Sequence, residues 1–226
     1  MGDQLSDVRR SYDNLAEAYA TRFADLLDDQ PLDRALLGLF AELTKPGPVL
    51  DLGCGTGEIS ALLAGLGVEV SGVDLSPQMI RHARERHPEL DFAVGSMTAL
   101  GPGGLELADA SVAGILAHYS TIHLSDEQLP GVFAEFARLV RPGGWAMINF
   151  QARAEAKEYT SMLEQEVALH YPPRSAQQVT ELLRAAGFTP YATTIRPPTN
   201  WFESVDQAYL LVRRNTDDGS AEGESL

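Results

Sequence analysis

Between residues 49 and 150 short apolar runs alternate with amphipathic stretches, a pattern that predicts strands and helices in turn. Residues 49–52 read as a first strand, 58–64 as a helix stopped near Gly65 and Gly67, and 68–73 as a second strand. Ser76 followed by Pro77 is a cap and first turn for the next helix, which runs to about His87 and stops before Pro88. Residues 91–94 make a brief third strand, and 111–117, apolar and partly β-branched, a fourth. Ser125 with Gln128 three positions on is a capping box for a helix through Val140. Arg141-Pro142-Gly143-Gly144 is a turn ahead of a fifth strand, 145–150. Such alternation implies an α/β fold: a mostly parallel sheet with helices on both faces.

The flanks add to this core. Residues 5–43 carry a helical apolar pattern, and 154–170 read as a further helix. Ser175 with Gln178 caps another, ending at Gly187. Residues 188–195 and 207–212 read as two strands of a hairpin, joined by a loop with Pro197, Pro198 and Asn200. Residues 215–226 hold four acidic residues and a single aliphatic one, Leu226, so they are expected to form a disordered tail. The expected organisation is one domain over 1–214 and a tail over 215–226.

Composition narrows the function. In 226 residues, 44% hydrophobic and 22% charged, there is one sizeable core and no sign of whole-chain disorder. The net charge of −15 repels phosphate backbones, and the densest basic run, 81–86, contains Glu85, so no nucleic-acid partner is expected. The single cysteine, Cys54, excludes an intrachain disulfide and a multi-cysteine metal site and is compatible with a reducing compartment. No apolar run approaches the ~18 residues of a membrane span, and residues 1–10 lack the apolar core of a targeting signal. A soluble, cytoplasmic protein is expected.

The most informative stretch is Asp51-Leu52-Gly53-Cys54-Gly55-Thr56-Gly57-Glu58. A glycine-rich turn after a strand exposes backbone N–H groups to a ligand, and the helix that follows adds its positive end. Gly53 and Gly55 match the dinucleotide fingerprint, but its third glycine position is Glu58 and the extra glycine falls at Gly57. A carboxylate there suits a positively charged ligand better than a pyrophosphate. Asp74, at the end of the second strand, stands where a carboxylate grips ribose hydroxyls.

With these residues the chain resembles the class I S-adenosylmethionine-dependent methyltransferases. The 51–57 loop is similar to their motif I, and Gly72-Val73-Asp74-Leu75-Ser76 with Met79 to their ribose-binding segment. Gly95-Ser96-Met97 lies where that family contacts adenine, and the 139–144 segment resembles its turn before strand five. Tyr12-Asp13 with Ala16 and Tyr19 resembles a front helix of the ubiquinone/menaquinone-type and natural-product branch, where it closes over the cofactor. The resemblance covers roughly 8–150. It implies a Rossmann-like seven-stranded sheet with a reversed last strand, a helical lid from 8–40 and 151–174, and S-adenosylmethionine as cofactor. The implied cofactor contacts are Asp51, Gly53, Gly55, Asp74, Leu75, Met79, Ser96 and Met97, joined by Tyr12, Tyr19, Ala117 and Tyr119.

Absences select among acceptors. The segment after the fourth strand, Ala117-His118-Tyr119-Ser120, lacks the [DNS]-P-P-[YFW] element of amino-directed DNA methyltransferases. Cys54 lies inside the loop and is not placed to attack a pyrimidine. No carboxylate cluster follows the fourth or fifth strand, only a lone Asn149, so no metal is expected. That leaves a small-molecule acceptor, methylated on oxygen, nitrogen or carbon. The donor is already activated, so positioning and water exclusion do most of the work. His118 and His123 are the candidate general bases. His82 and His87 are expected to face solvent. His170 is a candidate lid residue, and Trp201-Phe202 either a substrate wall or packing. Two alternatives stay open: a nicotinamide-dependent oxidoreductase, and a non-catalytic protein that binds the cofactor.

Overall fold

The computed structural model describes residues 4–200 and 202–216. Its elements follow in the order α1 (Gln4–Arg22), α2 (Pro31–Thr44), β1 (Pro48–Leu52), α3 (Glu58–Gly65), β2 (Glu69–Asp74), α4 (Pro77–Arg86), β3 (Asp91–Val94), β4 (Val112–His118), α5 (Leu129–Leu139), β5 (Val140–Ala152), β6 (Lys157–Met162), β7 (Gln165–Tyr171), α6 (Ala176–Ala185), β8 (Phe188–Arg196) and β9 (Asp206–Arg214). A single 3-10 turn, Thr121–His123, follows β4.

Seven strands form one sheet in the order β3-β2-β1-β4-β5-β9-β8. The five strands from β3 to β5 are parallel to their neighbours. β9 runs antiparallel to both β5 and β8. The chain moves outward from β1 in one direction to β3 and then returns to lay β4 on its other side. A crevice opens at the carboxyl ends where the order reverses, which is where such sheets bind ligands.

Each central strand splits its side chains between two cores, as the period of two requires. Leu50, Leu52, Ile115, Ile148, Phe150 and Leu210 face α5 and α6, whose Phe133, Phe136, Val179 and Leu183 fill that side. Val49, Leu116, Met147 and Leu211 face the other way, against Leu37, Phe40 and Leu63 of α2 and α3. Burial on both faces is why these strands read as continuous apolar runs.

Local signals start several helices as expected. The Ser76 side chain accepts from Met79 N at 3.1 Å, and the Ser175 side chain from Gln178 N at 3.1 Å. The 125–128 box forms only in half: Ser125 N donates to Gln128 Oε1 at 2.9 Å, but Ser125 Oγ turns to Glu127, and α5 begins at Leu129. The 141–144 turn is absorbed into β5 as an irregularity, with Val112 paired to Val140 and Gly114 to Trp145.

The main correction concerns 154–170. These residues do not form a helix; they form the antiparallel hairpin β6–β7. Val167, Leu169 and Tyr171 are buried at alternate positions, a period of two that a short mixed segment shares with a helical reading. The turn residues Leu163 and Glu164 take φ of +48° and +63° without glycine or asparagine to announce it. The lid is therefore part helix and part hairpin. The hairpin lies on α1, where Ala168 N donates to Ser11 Oγ at 2.8 Å and Asn14 Nδ2 donates to Glu166 O at 3.1 Å.

His82 is a second correction. It is buried against α1, with Nε2 3.4 Å from Glu17, rather than facing solvent, and His87 is half-buried. Of the expected tail, Asn215 is tied to the sheet, its N–H donating to Gly187 O at 3.0 Å. Residues 217–226 lie outside the described residues, as does Trp201.

Helix α1 is joined to the sheet by Asp13. Its Oδ1 accepts from Ser76 Oγ at 2.6 Å and from Gln78 N at 3.2 Å, a carboxylate at the N-terminus of α4. Asp13→Ala removes both bonds, and the expected loss is about 1–2 kcal/mol of stability. Amide exchange should rise across Gln4–Arg22 while β1 and β4 keep their protection; uniform exchange across the chain would contradict this role for Asp13.

Candidate functional site

The glycine loop is built by backbone geometry. Gly53 and Cys54 both donate their N–H to Val73 O, at 2.7 and 3.1 Å, which draws the loop over the end of β2. Gly53 and Gly55 have φ of +78° and +56°, the left-handed region that glycine enters without strain. A Cβ on Gly53 would collide with Ser120, whereas one on Gly55 would meet nothing within 4 Å and stand in open space.

Asp74 clamps this loop. Its Oδ2 accepts from Gly55 N at 2.9 Å and its Oδ1 from Ser76 N at 2.8 Å. Burial raises its pKa despite these bonds. Asp51 is almost fully buried and accepts from Ser60 Oγ at 2.6 Å; burial pushes its carboxyl up to about 7. Glu58 pairs with Arg86 at 2.7 Å and accepts from Thr56 at 2.6 Å. Cys54 packs beneath β2 against Phe92, and burial raises its thiol pKa well above the usual value.

A cleft of about 150 Å³ opens beside the loop. Gly53, Gly55, Asp74 and Leu75 line one wall, Met79, Ser96 and Met97 continue it, and Tyr12, Tyr19, Tyr119, His118 and His123 face them. Ten of these twelve residues are the cofactor contacts expected from sequence, and His118 and His123 are the two expected bases. Asp51 lies instead on a smaller hollow of about 60 Å³ with Cys54, Thr56 and Glu58. Ala117 is fully buried in the sheet core and lines none of these spaces. Sequence reasoning passed over Ser120, whose buried Oγ has no partner at the cleft wall.

The two histidines differ. His123 Nδ1 lies 3.1 Å from His170 O, and a carbonyl only accepts, so Nδ1 carries the proton. Nε2 then accepts from Tyr12 OH at 2.8 Å. Both ring nitrogens are engaged, and His123 joins the 3-10 turn to α1 and β7 rather than presenting a free base. His118 Nδ1 accepts from Asn149 Nδ2 at 2.7 Å, which leaves the proton on Nε2. Burial pushes both histidines down to about 4, so both are neutral near pH 7. Tyr119 follows His118 with φ of +52°, a costly conformation for a side chain of this size.

A second, larger cavity of about 360 Å³ adjoins the cleft and shares Tyr12, Tyr19, His118 and Tyr119 with it. Sequence reasoning singled out few of its other walls, because they converge from distant elements: Gln151 from β5, Arg153 just beyond its end, Tyr159 from β6, Tyr171 from β7, Arg196 from β8. Phe202 lines it as well, packed edge-on to Phe23 at 5.6 Å, while the side chain of His170 is half-buried on the hairpin and does not line it. One end is closed by a charged network. Arg196 pairs with Glu203 at 2.6 Å and lies 3.6 Å from Asp33; Tyr119 OH donates to Tyr209 OH at 3.1 Å, which donates to Asp33 at 3.0 Å. No group of three or more metal-ligating side chains occurs among the described residues.

The arrangement fits a ligand with sugar hydroxyls and a positive charge. Three carboxylates, Asp51, Glu58 and Asp74, lie at the loop, the space above Gly55 is open, and Ser120 Oγ awaits a partner. Comparison with known proteins agrees. Residues 49–144 match the family model described as "Methyltransferase domain". The demethylmenaquinone methyltransferase of Tropheryma whipplei (strain Twist) is 30% identical over 145 residues, 63% of this chain and 58% of that protein. O-methyltransferase cnsE of Penicillium expansum is 30% identical over 165 residues, 69% of this chain and 59% of that one. The chain thus spans less than two thirds of these relatives' length. The solved structure of 1,6-didemethyltoxoflavin-N1-methyltransferase from Burkholderia thailandensis, with 1,6-didemethyltoxoflavin and S-adenosylhomocysteine bound, shares the fold. Its TM-score is 0.67 at 22% identity, covering 93% of this chain and 88% of that one.

The shifted groups set a pH dependence with two signs. Between about pH 6.5 and about 4 the unfolded chain protonates at His118 and His123 before the folded chain does, so their stabilisation, present above that window, is lost as pH falls through it. Asp51 acts oppositely: its folded carboxyl keeps a proton to about pH 7, so its contribution is lost as pH rises from about 4 to above 7. Asp51→Asn keeps a partner for Ser60 and cannot ionise. Urea unfolding should show this variant gaining stability over wild type as pH rises from about 5 to 8, and a pH-independent difference would contradict the buried-carboxyl assignment. Ring NMR signals of His118 and His123 should stay at their neutral positions at pH 5.5.

Proposed function

We infer that the chain, whose residues 49–144 match a methyltransferase-domain model, transfers a methyl group from S-adenosylmethionine to a small-molecule acceptor. The observation that carries this reading is the glycine loop held open by Asp74 at the sheet's crossing point, with a separate cavity adjoining it. Bound there, S-adenosylmethionine supplies a methyl carbon already activated by a positively charged sulfur.

The chain's own residues bind, orient and exclude water. Asp74 has lone pairs left after its two backbone bonds, and these suit ribose hydroxyls. Leu75 and Met79 with Ser96 and Met97 would flank the adenine and sugar, and Gly53, Gly55 and Ser120 the amino-acid end. Asp51 and Glu58 lie behind the loop, where Asp51, with its carboxyl pushed up to about 7, would ionise more readily beside a cation. Tyr12 and Tyr19 cover the cleft from α1. His118 borders both spaces, and with its proton on Nε2 it would orient an acceptor oxygen by donating to it. His123 is a positioning residue that holds Tyr12 over the cleft.

Carboxylates on three sides of the loop are poor neighbours for a diphosphate, so the nicotinamide-dependent alternative is not favoured. No helix among the described residues is long and apolar enough to cross a membrane. A lone buried thiol, Cys54, is in keeping with a cytoplasmic location.

Calorimetry should give micromolar binding of S-adenosylmethionine and of S-adenosylhomocysteine, and transfer of label from the methyl donor to a member of a metabolite panel should separate an enzyme from a non-catalytic binder. Absence of both heat and thermal shift with either compound would end this reading. Asp74→Ala should weaken S-adenosylhomocysteine binding about 10- to 100-fold, from the loss of about 1–3 kcal/mol of charge-assisted bonding. Unchanged affinity would remove Asp74 from the site.

A further inference from the structure

The larger cavity holds polar groups that nothing in the fold satisfies. Four charged side chains line it: Asp33, Arg153, Arg196 and Glu203. Three of them are engaged with one another at one end, where Arg196 contacts Glu203 at 2.6 Å and Asp33 at 3.6 Å. Arg153 stands apart. Its backbone bridges to Arg174, and its guanidinium lies over the Tyr171 ring, 5.2 Å from the centroid. Among the described residues no carboxylate pairs with it, and its buried Nε has no hydrogen-bond partner. The buried Oε1 of the neighbouring Gln151 is likewise unpartnered. In a protein of net charge −15 an arginine left unpaired in a cavity is costly unless a ligand completes it.

The remaining walls are flat and apolar. Tyr159 packs edge-on to Tyr171 at 5.3 Å between centroids, and Tyr12, Phe23 and Phe202 contribute further rings. The volume, about 360 Å³, lies in the range of small-molecule sites. On the side shared with the cofactor cleft stands His118, neutral and donating from Nε2.

The two carboxylates of this space, Asp33 and Glu203, are engaged by Tyr209 and Arg196, while Arg153 and His118 line it as donors. We propose that the acceptor is a planar conjugated molecule bearing an ionised oxygen (a carboxylate, phenolate or enolate) that Arg153 binds, with Gln151 Oε1 accepting from an adjacent hydroxyl or N–H of the same molecule. This rests on the methyl-transfer reading above and names its substrate class. An acceptor that enters already ionised needs no base from the cavity: its proton has left to solvent before binding, and its lone pair is free to form the new bond to the methyl carbon as the carbon–sulfur bond breaks and its electron pair stays on sulfur.

The probes are 2-naphthoate and 2-naphthamide, equal in shape and different in charge, titrated by calorimetry into protein saturated with S-adenosylhomocysteine. Wild type should bind the acid about tenfold or more tighter than the amide, the scale of one charge-assisted contact. Arg153→Gln should bring the two within about twofold, and Arg153→Lys, which keeps the charge but not the planar fork, should retain part of the preference. S-adenosylhomocysteine affinity is the folding control for each variant. Equal binding of acid and amide to wild type, a preference that survives in Arg153→Gln, or binding of neither probe would overturn the proposal. Should Arg153→Gln not fold, the wild-type ratio and Arg153→Lys still decide. Failure of S-adenosylhomocysteine to bind wild type would instead strike the methyl-transfer reading itself.

Discussion

The site depends on one buried carboxylate. Asp74 leaves the end of β2 and accepts from Gly55 N of the glycine loop and Ser76 N at the start of α4. Three segments that share no sequence neighbourhood are thereby held in register, since Ser76 Oγ passes the connection on to Asp13 of α1. Burial would expel this charge, and two backbone N–H donors together with the positive end of α4 keep it in place. The loop, the sugar-binding position and the attachment of the lid are thus a single hydrogen-bonded unit.

Low polarity governs the rest of the site. Burial raises the carboxyls of Asp51 and Asp74 and lowers the imidazoles of His118 and His123, so that the histidines are neutral near pH 7. A positively charged ligand entering such a space gains from every carboxylate that its charge helps to ionise. Neutral histidines, in turn, serve as fixed hydrogen-bonding groups: His123 between Tyr12 and the hairpin carbonyl, His118 between Asn149 and the open cavity. The strained φ of Tyr119 aims its ring between the two spaces, and the Tyr209–Asp33 chain secures its hydroxyl.

Much of this was legible along the chain because it is local. The glycines of 53–57 and the Ser76-Pro77 cap depend on φ angles and on hydrogen bonds spanning a few residues, and residue type alone reports them, while the acid at the end of β2 was legible from its spacing behind the loop. The central strands followed from apolar runs buried on both faces. The hairpin of 157–171 was misread because its turn uses Leu163 and Glu164 at positive φ, and because its alternate burial is imposed by α1 rather than by strong local patterning. Half of the 125–128 box failed because Ser125 Oγ had a competing acceptor in Glu127.

The amino-acid sequence by itself determined the order of strands and helices outside the 157–171 hairpin, the glycine loop and the position of the carboxylate behind it, since each is encoded by residue types and their spacing along the chain. Only the tertiary structure decided which histidine has a free face, that Asp51 sits behind the loop, that Ser120 is left without a partner, and that Arg153 and His118 line one cavity. Those facts depend on contacts made in the fold, as between His118 and Asn149 or Tyr12 and His123, and a side chain's protonation, pairing and exposure are properties of what packs around it rather than of its place in the chain.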